Sequence, residues 1–234
     1  MKNIFGLFSM VLALLLIGCS KDPLFTDAGT ITDTRDNHVY KTAKIGEQVW
    51  MAENLAFLPS VSPSPDGSEA ALYYYVYGYQ GSSAMEAKAA ANFAAYGVLY
   101  NWEAAKAACP SGWHLPGNEE WRILTDHLDT VNFTAGGKMK ETGTSHWLSP
   151  NTGATNECGL TAIPGGERSV SGGFNGLGEY AEFWSSTVDE WSRSILIRVL
   201  LSTDAFLWSG WYDRSDGFSV RCLKNQGELS SLKL

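Results

Sequence analysis

Apolar positions are spread unevenly along this chain, and their pattern changes several times. From Phe5 to Ile17 almost every residue is apolar. That run is too short to cross a hydrocarbon core about 30 Å thick. Residues 20–28 are mostly polar and include Pro23, as suits a flexible tether, so the fold is expected to begin near Gly29. Val39–Ile45 and Gln48–Met51 are β-prone runs separated by Gly46-Glu47, which predicts a hairpin closed by Glu53-Asn54-Leu55. Pro59 to Glu69, with Pro59, Pro63, Pro65 and Gly67, reads as an exposed loop. The run Leu72-Tyr73-Tyr74-Tyr75-Val76-Tyr77-Gly78-Tyr79 is either a strand or an aromatic binding platform, and such a run more often packs as a strand. Ala84 to Ala95 is alanine-rich and helix-prone.

Asn101 to Ala108 reads as a short helix that stops before Pro110, because proline disfavours helical geometry in the residue before it. A second helix follows, with Asn118 as its cap, Glu119 and Glu120 in the first turn, and Trp121, Leu124 and Leu128 as an apolar stripe. From Gly136 onward Gly, Ser, Thr and Trp dominate. Ile195–Leu201 and Phe218–Leu223 stand out there as the last strands of a small sheet.

The N-terminal run changes this picture once its flanks are read. Lys2 precedes it, and Leu16-Ile17-Gly18-Cys19 at its end resembles the lipobox of bacterial lipoprotein signal peptides. The resemblance implies that Cys19 is the first mature residue and is lipidated on its sulfur, with palmitate-type acyl chains tethering the protein to a membrane. An ordinary signal peptide, or a short anchor in which Cys19 is incidental, is the alternative. Either way the protein is expected outside the cytoplasm, in the bacterial cell envelope. Ser20 suits outer-membrane sorting, and Lys21-Asp22 is a fragment resembling surface-export tags of Bacteroidetes-like lipoproteins.

Removing residues 1–18 leaves 216 residues, enough for one domain with its own core. No internal repeat divides them. The full chain carries a net charge of −8, and the mature chain, having lost Lys2 and no acid, −9. A basic nucleic-acid-binding surface is therefore disfavoured. Twelve per cent aromatic residues against 18% charged ones describe a folded chain. Beyond Cys19 there are Cys109, Cys158 and Cys222, which in an oxidising compartment can form one intramolecular bridge. Spacing alone does not choose the pair.

Several segments together resemble a known family. They are Asp33-x-Arg35-Asp36 with Tyr40; Ile45-Gly46-x-Gln48-x-Trp50-Met51-Ala52-Glu53-Asn54-Leu55; Tyr96-Gly97-x-Leu99-Tyr100-x-Trp102; Cys109-Pro110-Ser111-Gly112-Trp113-His114-Leu115-Pro116 with Glu120-Trp121; and Phe183-Trp184-Ser185-Ser186 with Ser219-Val220-Arg221-Cys222. In this order they resemble the Fibrobacter succinogenes major paralogous domain, over about residues 30 to 224. Trp102-x-x-Ala105-x-x-x-Cys109-x-x-Gly112-x-x-Leu115 is also similar to the first helix and following turn of C-type lectin-like domains. That resemblance implies an α+β domain in which small antiparallel sheets, where the termini meet, are flanked by two helices, with a long irregular loop region carrying any ligand site. It also implies that Cys109 pairs with Cys222 and leaves Cys158 single. The organisation expected is a signal peptide at 1–18, a lipidated tether at 19–28, the domain at 29–224 and a tail at 225–234. Tyr73 to Ala95 departs from the family, whose members often carry a cysteine pair there. The Glu-Pro-Asn, Gln-Pro-Asp and Trp-Asn-Asp triplets of calcium-dependent lectins do not occur, so no metal or other cofactor is expected.

Catalytic chemistry is sparse in this sequence. His38, His114, His127 and His146 show no metal-ligand spacing, and a lone histidine is more often a hydrogen-bonded structural residue. Gly136-Gly137, Gly165-Gly166 and Gly172-Gly173 read as turns, and no Gly-x-Ser-x-Gly elbow occurs. Glu119, Glu120, Asp126 and Asp129 look like a solvated helix face rather than a facing catalytic pair. Trp113-x-Leu115-Pro116-x-x-x-Glu120-Trp121 is similar to a stretch of formylglycine-generating enzymes, whose chemistry needs two reactive C-terminal cysteines holding copper; here only Cys222 lies in that region.

The tryptophans then carry the recognition reading. Trp184, in a family motif beside Phe183, is assigned to the core with Trp102 and Trp121, whereas Trp208, Trp211 and Tyr212, among turn-like polar residues, are the surface candidates for ligand binding. The expected protein is a non-enzymatic, membrane-anchored binding module for a glycan or a surface protein. A formylglycine-type oxidase relative and a purely architectural envelope protein are the alternatives.

Overall fold

The computed structural model describes residues 24–131 and 133–226. Expectations for the signal peptide, Cys19, the tether up to residue 23 and the tail from residue 227 lie outside the described residues. The elements run β1 (Phe25–Thr32), β2 (Val39–Ile45), β3 (Gln48–Met51), β4 (Tyr74–Tyr75), α1 (Ala84–Lys88), α2 (Ala91–Tyr96), β5 (Leu99–Tyr100), α3 (Trp102–Ala108), β6 (Trp113–His114) and α4 (Asn118–Leu128). After them come α5 (Ala135–Met139), β7 (Glu167–Arg168), β8 (Phe174–Asn175), β9 (Tyr180–Val188), β10 (Ile195–Leu201), β11 (Trp208–Tyr212) and β12 (Leu223–Lys224).

The β2–β3 hairpin forms as the sequence predicts, with Ile45 opposite Gln48 and Gly46 in the left-handed region at φ 58°. It sits inside a five-stranded antiparallel sheet of order β1-β2-β3-β12-β6, so the two ends of the described chain meet in one sheet. The tether expected through residue 28 is shorter than its sequence suggested, because β1 begins at Phe25 and pairs along β2. A three-stranded antiparallel sheet, β11-β10-β9, and two two-stranded ladders complete the mixed α and β structure.

Strand alternation sends neighbouring residues into two cores. Tyr40 and Met51 enter one together with Tyr100, Trp102, Trp184 and Phe218. Ala43, Ile45 and Trp50 enter the other with Trp121, Leu124, Trp147 and Phe183. The adjacent residues Phe183 and Trp184 of β9 thus serve different cores, Trp184 meeting Phe218 at 4.7 Å and Phe183 meeting Trp121 at 5.9 Å between ring centroids. Trp102, Trp121 and Trp184 are all buried, as assigned.

The helices start for local reasons. Asn101 caps α3 by accepting from the Ala104 N–H at 3.1 Å, and its amide nitrogen donates to the carbonyls of Ser68 and Ala71, which fastens the proline-rich loop. That loop is not wholly exposed, since Val61 and Ser64 are buried. In α4 the cap is Gly117 and Asn118 is the first helical residue, one position later than expected for a cap; Glu120 accepts from the Gly117 N–H at 2.7 Å, half of a capping box. The alanine-rich segment divides into α1 and α2. The aromatic run contributes the buried β4 residues Tyr74 and Tyr75, paired with β5, so it packs rather than forming a platform. Phe218–Leu223 is less regular than a strand: only Leu223 falls in β12, while Phe218 and Ser219 make single bridges to Tyr100 and Phe183.

A disulfide joins Cys109, at the end of α3, to Cys222, and Cys158 is free and buried in the other core. Among the described residues no helix is long and apolar enough to cross a membrane.

Candidate functional site

The three aromatic candidates all fall on β11, but the strand does not bring them onto one face. Trp208 lies opposite Val199 and Tyr212 opposite Ile195, whereas Trp211 lies opposite Leu196, on the other side of the sheet. Trp208 and Trp211 are each about half exposed. Trp208 donates its indole N–H to Asp204 at 3.0 Å and meets Phe206 edge-on, and Tyr212 packs against the core ring of Phe218 at 5.2 Å. A single stacking platform of Trp208, Trp211 and Tyr212 is therefore not what the strand builds.

Behind Trp208, in the same cross-strand row, stands Glu182 of β9. It is buried, and its Oε2 has no hydrogen-bond partner among the described residues. Burial pushes its carboxyl up to about 8, with Glu167 and Asp216 adding repulsion, and burial likewise pushes Asp216 up to about 6.

A different region forms a cleft of about 290 Å3, bounded by the segment after β3, the end of α2, the 141–146 loop and Thr161. Its frame is a network of buried polar groups centred on Asn54. The Asn54 amide donates to the Tyr96 carbonyl at 3.1 Å and to Ser219 Oγ at 3.3 Å, and its oxygen accepts from Arg221 Nε at 2.8 Å. Arg221, fully buried, also donates to the carbonyls of Leu160 at 2.6 Å and Thr161 at 2.9 Å, with a longer contact to Met51. Among the described residues no carboxylate forms an ion pair with it. Desolvation pulls its guanidinium down to about 9, partly offset by Glu53.

Two backbone positions show how tightly this frame is drawn. Gly97 has φ 76°, and a Cβ there would stand 2.8 Å from the Leu55 carbonyl, so only glycine fits beneath the cleft wall. Thr161 has φ 52°, a costly conformation for a β-branched residue, of order 1–3 kcal/mol. It is held there by Asn156, whose side chain accepts from the Thr161 N–H at 2.9 Å and donates to its hydroxyl at 3.0 Å.

On the cleft wall His146 Nδ1 pairs with Glu141 Oε2 at 2.7 Å, and its ring meets Tyr96 edge-on at 5.5 Å. Its Nε2 has no partner among the described residues. Burial, with a contribution from Glu141, raises the Tyr96 phenol above its ordinary value. Lys41, exposed at the rim, has no ion-pair partner among the described residues. The site thus combines an aromatic wall, a histidine oriented by a carboxylate, and a cation, all on a rigid floor.

A family model described as the Fibrobacter succinogenes major domain matches residues 43–224. The chain belongs to this family. No curated protein and no solved structure matches it. The segments that resemble the Fibrobacter succinogenes major domain divide between two destinations. Trp50, Leu55, Tyr100, Trp102, Phe183 and Trp184 are in the cores, whereas Glu53, Asn54, Tyr96, Gly97 and Arg221 line the cleft.

The remaining histidines and acids have structural partners. His114 bridges Glu120 and Asn225 at 2.7 Å each, His127 contacts the Leu24 carbonyl at 3.3 Å, and His38 stacks on Tyr40. Glu119 and Asp126 pair with Arg122 on the exposed face of α4, while Asp129 receives the Val131 and Thr134 N–H groups beyond its end. Glu141 escaped the sequence reading, and His146 was read only as a lone structural histidine, because a five-residue spacing in a loop carries no periodic signal. Thr161 and Asn156 escaped for the same reason.

Among the described residues no cluster of His, Cys, Asp and Glu could hold a metal ion. Cys222 is engaged in the disulfide, and burial pushes the Cys158 thiol up to about 12, so neither is placed as a reactive thiolate.

Proposed function

We propose that this protein is an exported, lipid-anchored, non-catalytic recognition domain of the cell envelope, with a C-type lectin-like architecture, and that the cleft holds its ligand. The ligand class is a glycan residue or a short segment of a surface protein. The observation that carries this reading is the cleft itself: outward-facing polar groups and the Tyr96 ring on a floor whose buried donors and acceptors are already paired. Such a floor leaves only the rim groups for a ligand, and preorganised polar groups beside an aromatic wall suit sugar hydroxyls as well as peptide amides. The cleft's size favours one sugar residue or side chain at a time. An oxidase reading draws less support, because the cysteines it would use are bridged or buried. The outer-membrane location rests on Cys19 and Ser20 alone.

The test is binding of the detergent-solubilised protein to a glycan array and to envelope extracts, with Tyr96→Ala and His146→Ala as probes. Retention of a defined ligand by the wild type, lost in both variants at unchanged melting temperature, supports the cleft. Binding that neither substitution affects, or no binding at all, removes it.

A further inference from the structure

We infer that Val131 and Phe133, with Ile123 of α4, form a surface that seats the domain in the headgroup layer of the phospholipid bilayer carrying its anchor. This rests on the reading of Cys19 as the lipidated residue. Cys19 is five residues before Leu24. At about 3.3–3.6 Å per extended residue, the domain's entry point stays within about 18 Å of the anchored sulfur. A leash that short decides which face meets the lipid, and the entry point is at the C-terminal end of α4, where His127 contacts the Leu24 carbonyl at 3.3 Å.

Three exposed apolar side chains lie on α4 and on the stretch that follows it. Ile123 lies one helical turn before His127 on the same face of α4 and is 44% exposed. Val131 and Phe133 are 75% and 70% exposed, on the stretch that Asp129 holds by accepting from the Val131 and Thr134 N–H groups. Large side chains held outward gain nothing in water, but they bury apolar area at a membrane interface.

Beside them a depression of about 170 Å3 is lined by Leu24, Phe25, Thr26, Lys44, Gly46 and His127. Among the described residues its ammonium group, on Lys44, is tied only to Glu47 at 3.6 Å, across an exposed pair of little energetic consequence. A lipid phosphate suits that cation, so apolar insertion and headgroup contact fall on the same side of the domain as the anchor.

The test compares the full-length protein in vesicles of phosphatidylethanolamine and phosphatidylglycerol with the Cys19→Ser form in solution. Amide hydrogen exchange is followed throughout, and mass spectrometry of the mature N-terminus reports lipidation. The expected result is a lipidated N-terminus with exchange slowed several-fold at Val131, Phe133 and the Gly46 turn. In the lipidated Val131→Ser/Phe133→Ser variant that slowing is lost. A lipidated protein whose exchange matches the soluble form, or whose double variant keeps the full protection, overturns the seating surface and leaves the anchor intact. An N-terminus without lipid overturns both.

Discussion

The cleft and the β11 edge both present aromatic side chains to solvent, yet their supports are opposite. Under the cleft, the Asn54 amide and the Arg221 guanidinium are hydrogen-bonded to Tyr96, Ser219, Leu160 and Thr161, and the neighbouring Cys222 is cross-linked to Cys109. Behind β11, Glu182 is buried with an oxygen unpaired among the described residues, and the two tryptophans point to opposite faces. Exposure of aromatic rings is thus a poor marker of a site. A frame that satisfies every buried polar group and holds strained backbone such as Thr161 is a better one.

The largest expected effect sharpens this contrast at the cross-link. The Cys109–Cys222 bridge spans a sequence separation of 113. Chain entropy then predicts that Cys109→Ser/Cys222→Ser costs about 4–5 kcal/mol in urea unfolding. In the native protein Cys158 should stay unreactive to alkylation while it is buried. A loss below about 1 kcal/mol would mean that the cleft floor holds without its staple.

Arg221→Ala comes next. It leaves the oxygen of Asn54 and three backbone carbonyls without their charged donor, at a cost of about 3–5 kcal/mol. Arg221→Lys should not restore stability, because an ammonium cannot span that fork. Full rescue by lysine in thermal unfolding would show that charge, not the hydrogen-bond frame, shapes the cleft.

On the β11 side the prediction is one of pH. The Glu182 carboxyl, at about 8 when folded and near 4.5 when unfolded, binds a proton in the native state that the unfolded chain has already lost across this window. Stability therefore falls as pH rises, by about 1.4 kcal/mol per unit, making the protein about 2–3 kcal/mol weaker at pH 7 than at pH 5. Asp216, raised in the same direction to about 6, adds to the lower part of that slope. Glu182→Gln should flatten most of the dependence in urea titrations at the two pH values. An unchanged slope would mean that Glu182 is not buried in its neutral form.

The smallest effects belong to the exposed rings. Trp208→Ala and Trp211→Ala should each change stability by no more than about 0.5 kcal/mol, whereas Trp121→Ala, in a core, costs about 3–5 kcal/mol. Tyr212→Ala falls between, because its ring rests on Phe218. If Trp208→Ala or Trp211→Ala abolishes ligand binding while Tyr96→Ala does not, the comparison reverses and β11 carries recognition.

Much of the local structure was legible before folding. The β2–β3 hairpin follows from a turn between two β-prone runs, the end of α3 from the proline beyond it, and the α4 stripe from Trp121, Leu124 and Leu128. The pairing of Cys109 with Cys222 was implied by family resemblance and is present. What misled were weaker local signals. Asn118 looked like a cap but stands inside the helix because Glu120 closes on Gly117, and residues 25–28 looked like tether because β1 is mostly exposed and gains its order by pairing with β2. Trp208 and Trp211 are exposed, whereas Tyr212, read with them as a surface residue, is partly buried against Phe218, and all three side-chain directions depend on register with β10.

The sequence by itself determined the hairpin, the apolar stripe of α4 and the membership of the Fibrobacter succinogenes major domain family, because turns, periodicity and motif order are properties of neighbouring residues. Only the tertiary structure decided that Asn54, Tyr96, Glu141, His146, Thr161 and Arg221 share one cleft. The physical reason is that the segments carrying them are joined by contacts between residues far apart in the chain, as between Asn54 and Arg221, 167 residues apart. No local period encodes such a contact; it exists once two cores and two sheets have fixed where each backbone carbonyl points.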